Sequence, residues 1–308
     1  MLANFLSKSK PINFIILLSL FFVLFTTVSY TLLFSNGFEF TAFFKFATYL
    51  CLFLVIFFLF NFIVSKNKLT ADNFYGYYIF TLIISCFLMV ILTFKAMAIF
   101  IIYLLFCRRI YSLKSTKNIL QKLFDSGFWL GILFVIEPFT AILGALIYMA
   151  VFLNHQIILN TILTPIIGFI VPLFLLFTYT LFIDKPYIFN NLFYFNSFEN
   201  FYLFSENGLF GILSFLLTTT IISLFLKSPK VFLVNNSFRK NWILLLTNFC
   251  IAFIYALLIP VKNGSELLFL LFPISIIIAN GIAVIKYKIV KNIFLLLLLL
   301  GAVFFTLL

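Results

Sequence analysis

Apolar residues run through this chain in blocks of about 20, the length a helix needs to cross the roughly 30 Å hydrocarbon core of a bilayer. Residues 12–34, 44–64, 164–183, 208–226, 242–261, 267–285 and 292–308 each form such a block. Lys8 and Lys10 precede the first of them, and no small-x-small cleavage site follows it. It is therefore expected to be a retained first span and not a removed signal peptide. Two further blocks have the wrong length. Residues 74–107 are apolar except for Lys95, and residues 126–153 are apolar except for Glu137, which Pro138 follows. Each is long for one crossing and short for two. As a single helix, 74–107 would bury Lys95 well inside the membrane, at about 2.5–3.5 kcal/mol or more for a central charge. As two short helices, it places Lys95 at a turn. Pro138 makes a break at Glu137 cheap, because proline lacks a backbone donor and disfavours helix at the residue before it.

The charges choose between these arrangements. Lys and Arg collect in cytoplasmic loops. With both blocks split, Lys8, Lys10, Lys66, Lys68, Arg108, Arg109, Lys114, Lys117, Lys122, Lys227, Lys230, Arg239, Lys240, Lys286, Lys288 and Lys291 lie inside, which is 16 of the 20 basic residues. Lys45, Lys95, Lys185 and Lys262 lie outside, with six of the eight acids: Glu39, Glu137, Asp184, Glu199, Glu206 and Glu266. Merging either block, or both, strands basic loops on the wrong side. The expected fold is thus all-α: a polytopic membrane helix bundle of about 11 spans with two pairs of short helices, the N-terminus inside and the C-terminus outside. One transmembrane domain covers residues 1–308.

Composition agrees with that reading and narrows the function classes. Apolar residues make up 65% of the chain and charged ones 9%, against about 25% charged in an ordinary soluble domain. A soluble enzyme, a disordered chain and a fibrous protein are excluded. The net charge of +12 is accounted for by orientation and needs no nucleic-acid partner. Membrane lipids are the expected surroundings. Residues 108–123, RRIYSLKSTKNILQKL, carry five positive charges with Ile110, Leu113, Leu120 and Leu123 at helical spacing. They read as an inner-face amphipathic segment drawn to anionic lipid, or as a plain basic loop. Residues 184–207 form an aromatic outer-face segment, either an interfacial belt or a lid over a lipid-facing groove.

Much chemistry is absent. There is no G-x-x-x-x-G-K-[ST] loop and no G-x-G-x-x-G, so nothing points to a nucleotide. His155 is the one histidine, and Cys51, Cys86, Cys107 and Cys250 do not stand at ligand or redox spacing. No metal site, no cofactor and no Ser/His/Asp triad is expected. What remains is a small set of outer-face charges. Glu39 and Glu137 are the candidate general bases, and Lys45, Lys95, Lys262 and Glu266 the candidate substrate-binding residues. Charges at membrane depth mark functional sites by default, and a carboxylate among lysines suits proton transfer beside a phosphate. Lys95 and Glu137 stand out because each occupies a turn with almost no polar neighbours, so that pairing with one another or facing a shared cavity is expected.

Two resemblances add to this. Lys8-Ser9-Lys10-Pro11-Ile12-Asn13, Arg108-Arg109-Ile110-Tyr111, Gln121-Lys122-Leu123-Phe124-Asp125 leading to Phe128-Trp129, and Lys262-Asn263-Gly264-Ser265-Glu266 leading to Pro273 and Asn280 together resemble a family of bacterial multi-pass integral membrane proteins that carry a domain of unknown function. An acidic residue in the first outer loop (Glu39), pairs of short helices at 74–107 and 126–153, and a basic turn before an apolar run with proline (Lys262 through Pro273) are similar to the architecture of the glycosyltransferase C superfamily. The first resemblance implies a bacterial inner-membrane protein. The second implies a polyprenyl-phosphate-linked sugar or lipid as substrate at the outer face. Glu39 or Glu137 would then take a proton from the acceptor, with Lys45, Lys95 and Lys262 on the lipid phosphate. A non-enzymatic lipid or glycan translocator, and a structural subunit bound to other envelope proteins, are the alternative expectations.

Overall fold

A computed structural model describes residues 2–8, 10–35, 37, 39–154, 157–193, 209–231, 236–259 and 264–307. In chain order the helices are α1 (Leu2–Leu6), α2 (Pro11–Leu33), α3 (Phe40–Asn67), α4 (Tyr75–Cys86), α5 (Leu88–Ile91), α6 (Phe94–Ser112), α7 (Ile119–Ile136), α8 (Gly144–Asn154), α9 (Leu159–Phe182), α10 (Tyr187–Asn191), α11 (Leu209–Val231), α12 (Asn236–Leu258), α13 (Leu268–Val284) and α14 (Lys288–Leu307). Two 3-10 segments, Pro138–Leu143 and Ser265–Leu267, lead into α8 and α13. Among the described residues, 7 helices are long and apolar enough to cross a membrane, and two apolar helical stretches, Tyr75–Cys86 and Pro138–Asn154, are shorter. The chain is an all-α, multi-pass membrane protein.

Both long apolar blocks are broken. The first breaks after α5, where Thr93 turns to extended backbone (φ −128°, ψ 142°) and its hydroxyl accepts a hydrogen bond from the Ala96 N–H at 3.2 Å. That threonine cap satisfies one of the free donors at the start of α6. The second breaks at Glu137, which is extended (φ −146°, ψ 98°) because Pro138 disfavours helix there. At 1.5 Å per residue, α4 reaches about 18 Å, well short of the bilayer core. Its ends are protected by protein instead: every residue from Tyr75 to Ser85 is buried.

The centre of the bundle is α13. All of its residues from Leu268 to Ile282 are buried, and it packs against α4, α6, α11 and α12. Polar side chains tie the core to loop backbone at one end. Asn280 donates to the Leu69 carbonyl at 2.9 Å, and Asn241 to the Asn67 carbonyl at 3.0 Å. The same end gathers the basic residues. Lys66 and Arg108 both lie over the Phe62 ring, at 4.9 and 5.0 Å, Arg109 pairs with Asp125 at 2.8 Å, and Lys227 lies over Phe238 at 4.9 Å.

Helices α7 and α9 cross with almost no space between their backbones. Gly127 and Gly131 of α7 face Pro165, Phe169 and Pro172 of α9, and Gly168 faces Phe124 and Phe128. A Cβ added at Gly127 or Gly168 would overlap a carbonyl oxygen, and one at Gly131 would come within 2.6 Å of the Phe169 oxygen. This is the small-x-x-x-small packing by which membrane helices approach closely.

Residues 108–123 do not form one surface helix. Residues 108–112 are the last turn of α6, a short turn follows, and α7 starts at Ile119. Of the four apolar positions expected on one stripe, Ile110, Leu113 and Leu123 are fully buried in the core, and Leu120 is exposed. Lys122 closes the turn by donating to the Ser112 and Ser115 carbonyls at 3.0 and 3.1 Å. Of the aromatic segment, residues 194–207 lie outside the described residues. Its first part packs on the bundle, with Phe189 edge-on to Phe177 at 5.1 Å and Phe193 against Phe134 at 5.9 Å.

Candidate functional site

Lys95 stands in the first turn of α6, and Glu137 directly follows the last turn of α7. Lys95 opposes the dipole of α6, and Glu137 opposes that of α7 while standing at the start of the 3-10 segment Pro138–Leu143, which favours an anion. Each residue relieves the other. Lys95 Nζ lies 3.6 Å from Glu137 Oε2, with the lysine side chain 66% exposed and the glutamate 23%. At that distance the contact is an ion pair rather than a hydrogen bond. Glu137 sits on a rigid mount. Its N–H donates to Leu133 at 2.8 Å, and its carbonyl accepts from the Thr140 N–H at 3.1 Å and the Thr140 hydroxyl at 2.7 Å.

A second carboxylate lies close by. Glu266, in the 3-10 turn before α13, is 1% exposed. The turn is entered through Gly264 at φ 83°, a left-handed conformation that glycine adopts without strain. Tyr255, near the end of α12, is buried. Its position follows from packing, because α12 contacts both 3-10 segments.

From Tyr255 a line of polar and aromatic groups runs into the bundle. Phe269 stands edge-on between the rings of Tyr255 and Tyr103, at 4.6 and 4.8 Å. The single proton of the Tyr103 hydroxyl is shared between two acceptors, Asn248 Oδ1 at 2.9 Å and the Phe269 carbonyl at 3.1 Å. Asn248 Nδ2 in turn donates to the Tyr111 hydroxyl at 3.4 Å and to Cys107 Sγ at 3.8 Å. All four side chains are fully buried. The sequence reading missed this network. The signal was present: Tyr103, Cys107 and Tyr111 are spaced by four on one helix face, opposite a lone asparagine in an apolar span, where polar groups are expensive.

The remaining expected site residues are distributed differently. Glu39 and Lys45 are exposed at the start of α3, where Glu39 accepts a hydrogen bond from the Thr41 hydroxyl at 3.1 Å. Helices α3 and α6 pack together, with Arg108 over the Phe62 ring. Lys262 and His155 lie outside the described residues. The structure thus pairs Lys95 with Glu137 and carries Glu266 on a turn that packs against α12, as the turn after Glu137 does. Among the described residues no three His, Cys, Asp or Glu side chains are grouped to hold a metal ion.

No protein-family model matches the chain, and neither a curated protein nor a solved structure matches it significantly. What the fold establishes is a polytopic helical membrane protein. The two family resemblances rest on the sequence blocks and the architecture described above.

Proposed function

We propose that this chain is a multi-pass protein of the bacterial inner membrane that handles a polyprenyl-phosphate-linked sugar or lipid at the outer face, in the manner of the glycosyltransferase C superfamily it resembles. The reading rests on one observation above all: the Lys95–Glu137 ion pair at the junction of two broken helices. In this reading Glu137 accepts the proton of the acceptor hydroxyl, Lys95 binds the lipid phosphate, and Glu266 contributes from the floor beside Tyr255. Glu39, Lys45 and Lys262 belong to the approach. Phe193, packed on Phe134 one turn before Glu137, supports a cover over the lipid by the aromatic segment. The gathering of basic groups at the opposite end supports an N-terminus inside, a C-terminus outside and eleven crossings.

A specific feature favours a second reading. Lys95 and Glu137 already neutralise one another, as a translocator or an assembly subunit of the envelope would need at a turn that does no chemistry. Purified Glu137→Gln and Lys95→Gln proteins, reconstituted with polyprenyl-phosphate-linked sugars, separate the two. Loss of sugar transfer with lipid retained in Glu137→Gln, and weakened lipid retention in Lys95→Gln, is the expected result. Undiminished transfer in Glu137→Gln refutes the base assignment, and lipid movement between leaflets without transfer establishes the translocator.

A further inference from the structure

A cleft of about 130 Å³ lies at the basic end, between the last turns of α3 and the first turn of α4. Asn61, Ser65, Lys68, Thr70, Asp72 and Tyr77 are among its lining residues. Four observations make it more than a surface irregularity. First, Lys68 and Asp72 line the same cleft, yet among the described residues they form no ion pair with each other. Second, Tyr77 is buried, and its hydroxyl has no hydrogen-bond partner among the described residues. A buried hydroxyl is normally satisfied. Third, Lys68 holds the left-handed position that ends α3, at φ 52° and ψ 49°. Glycine or asparagine suits that backbone better, and a strained residue kept at such a place points to a use for its side chain. Fourth, the loop is fixed from below, because Asn241 and Asn280 bind the carbonyls of Asn67 and Leu69.

We infer that this cleft binds an aminophosphate zwitterion, with Lys68 on the phosphate and Asp72 on the ammonium. The volume is well below the roughly 300–1,000 Å³ of pockets for drug-sized ligands, so it suits a head group and not a whole lipid. Position favours the head group of a phospholipid. Lys68 directly follows the membrane span Phe40–Asn67, which sets the cleft at the membrane–water boundary. One turn deeper on α3, Phe58 is exposed and meets the Phe14 ring at 5.6 Å, an apolar track for acyl chains.

The test is native mass spectrometry of the full chain in nanodiscs that contain phosphatidylethanolamine, phosphatidylglycerol or phosphatidylcholine, with free O-phosphoethanolamine as a separate probe. Phosphatidylethanolamine is expected to be retained preferentially, and Asp72→Asn and Lys68→Gln each to lower its retention about tenfold, the scale of one charge-assisted contact. Lys68→Gly separates binding from folding: it relieves the left-handed strain, so it should raise thermal stability while still losing the lipid. Free O-phosphoethanolamine bound with the same residue dependence, with no lipid retained, upholds the site and assigns it a soluble ligand. Equal retention of phosphatidylglycerol with Asp72→Asn silent, or wild-type retention by both Asp72→Asn and Lys68→Gln, overturns the proposal.

Discussion

Replacing Gly127 with alanine places a methyl group where the carbonyl of Pro165 already sits. The obstacle is backbone on both sides, so no rotamer change can relieve it, and α7 and α9 must move apart. Overpacking by a methyl costs about 1–3 kcal/mol, while glycine to alanine in a helix interior returns about 1 kcal/mol of propensity. The net expectation is a loss of up to about 2 kcal/mol, with Gly131→Ala behaving alike because its Cβ would meet the Phe169 oxygen at 2.6 Å. Gly301→Ala supplies the contrast. Its Cβ would meet Phe215 at 3.9 Å, an ordinary contact, so only the propensity term acts and stability should rise by up to about 1 kcal/mol. Thermal unfolding in detergent, followed by the fluorescence of Trp129 two residues from Gly127, measures all three. The displacement also bears on the candidate site, because α7 carries Glu137 at its end and separation from α9 shifts it relative to Lys95 on α6. A Gly127→Ala protein stabilised as much as Gly301→Ala would refute the close approach of the two helices and the positioning argument with it.

Tyr103→Phe removes the buried hydroxyl proton shared between Asn248 and the Phe269 carbonyl and should lower thermal stability by about 1 kcal/mol; Asn248→Leu should cost more, because it takes the amide from Tyr111 and Cys107 and leaves Tyr103 only the Phe269 carbonyl. A double-mutant cycle over Lys95→Gln and Glu137→Gln should give a coupling of about 0.2–1 kcal/mol in unfolding experiments, and a coupling of zero would show that the pair does not hold the two helix breaks together. On a cysteine-free background, Lys95→Cys should react with an impermeant maleimide added to intact cells, whereas Lys114→Cys should react only after lysis. The reverse pattern would invert the proposed orientation.

Part of this architecture was legible because it follows from local chemistry. Pro138 disfavours helix at Glu137, and Lys95 in an apolar run needs either a break or a partner. The structure supplies both, including the pairing with Glu137. Residues 108–123 were readable only in part. Periodicity identified Ile110, Leu113, Leu120 and Leu123 as one apolar stripe, but a stripe does not say whether lipid or protein covers each position: Ile110, Leu113 and Leu123 are buried in the core and Leu120 is exposed. The Gly127-x-x-x-Gly131 spacing and the Tyr103–Cys107–Tyr111 face were readable in principle. Their partners, Pro165 and Asn248, are distant in sequence, and only packing reveals them.

The sequence by itself determined that the chain is an all-helical membrane protein, where its apolar runs break and where its charges collect, because the cost of polar groups in hydrocarbon acts on each segment separately. It did not determine which helix lies at the centre. Helices α9 and α13 are both strongly apolar spans, but 22% of one and 89% of the other is buried within the bundle. Lipid tails and neighbouring side chains are equally apolar, so hydropathy cannot rank them. Small residues, proline kinks and buried polar contacts decide that order, and they act only once the helices have met.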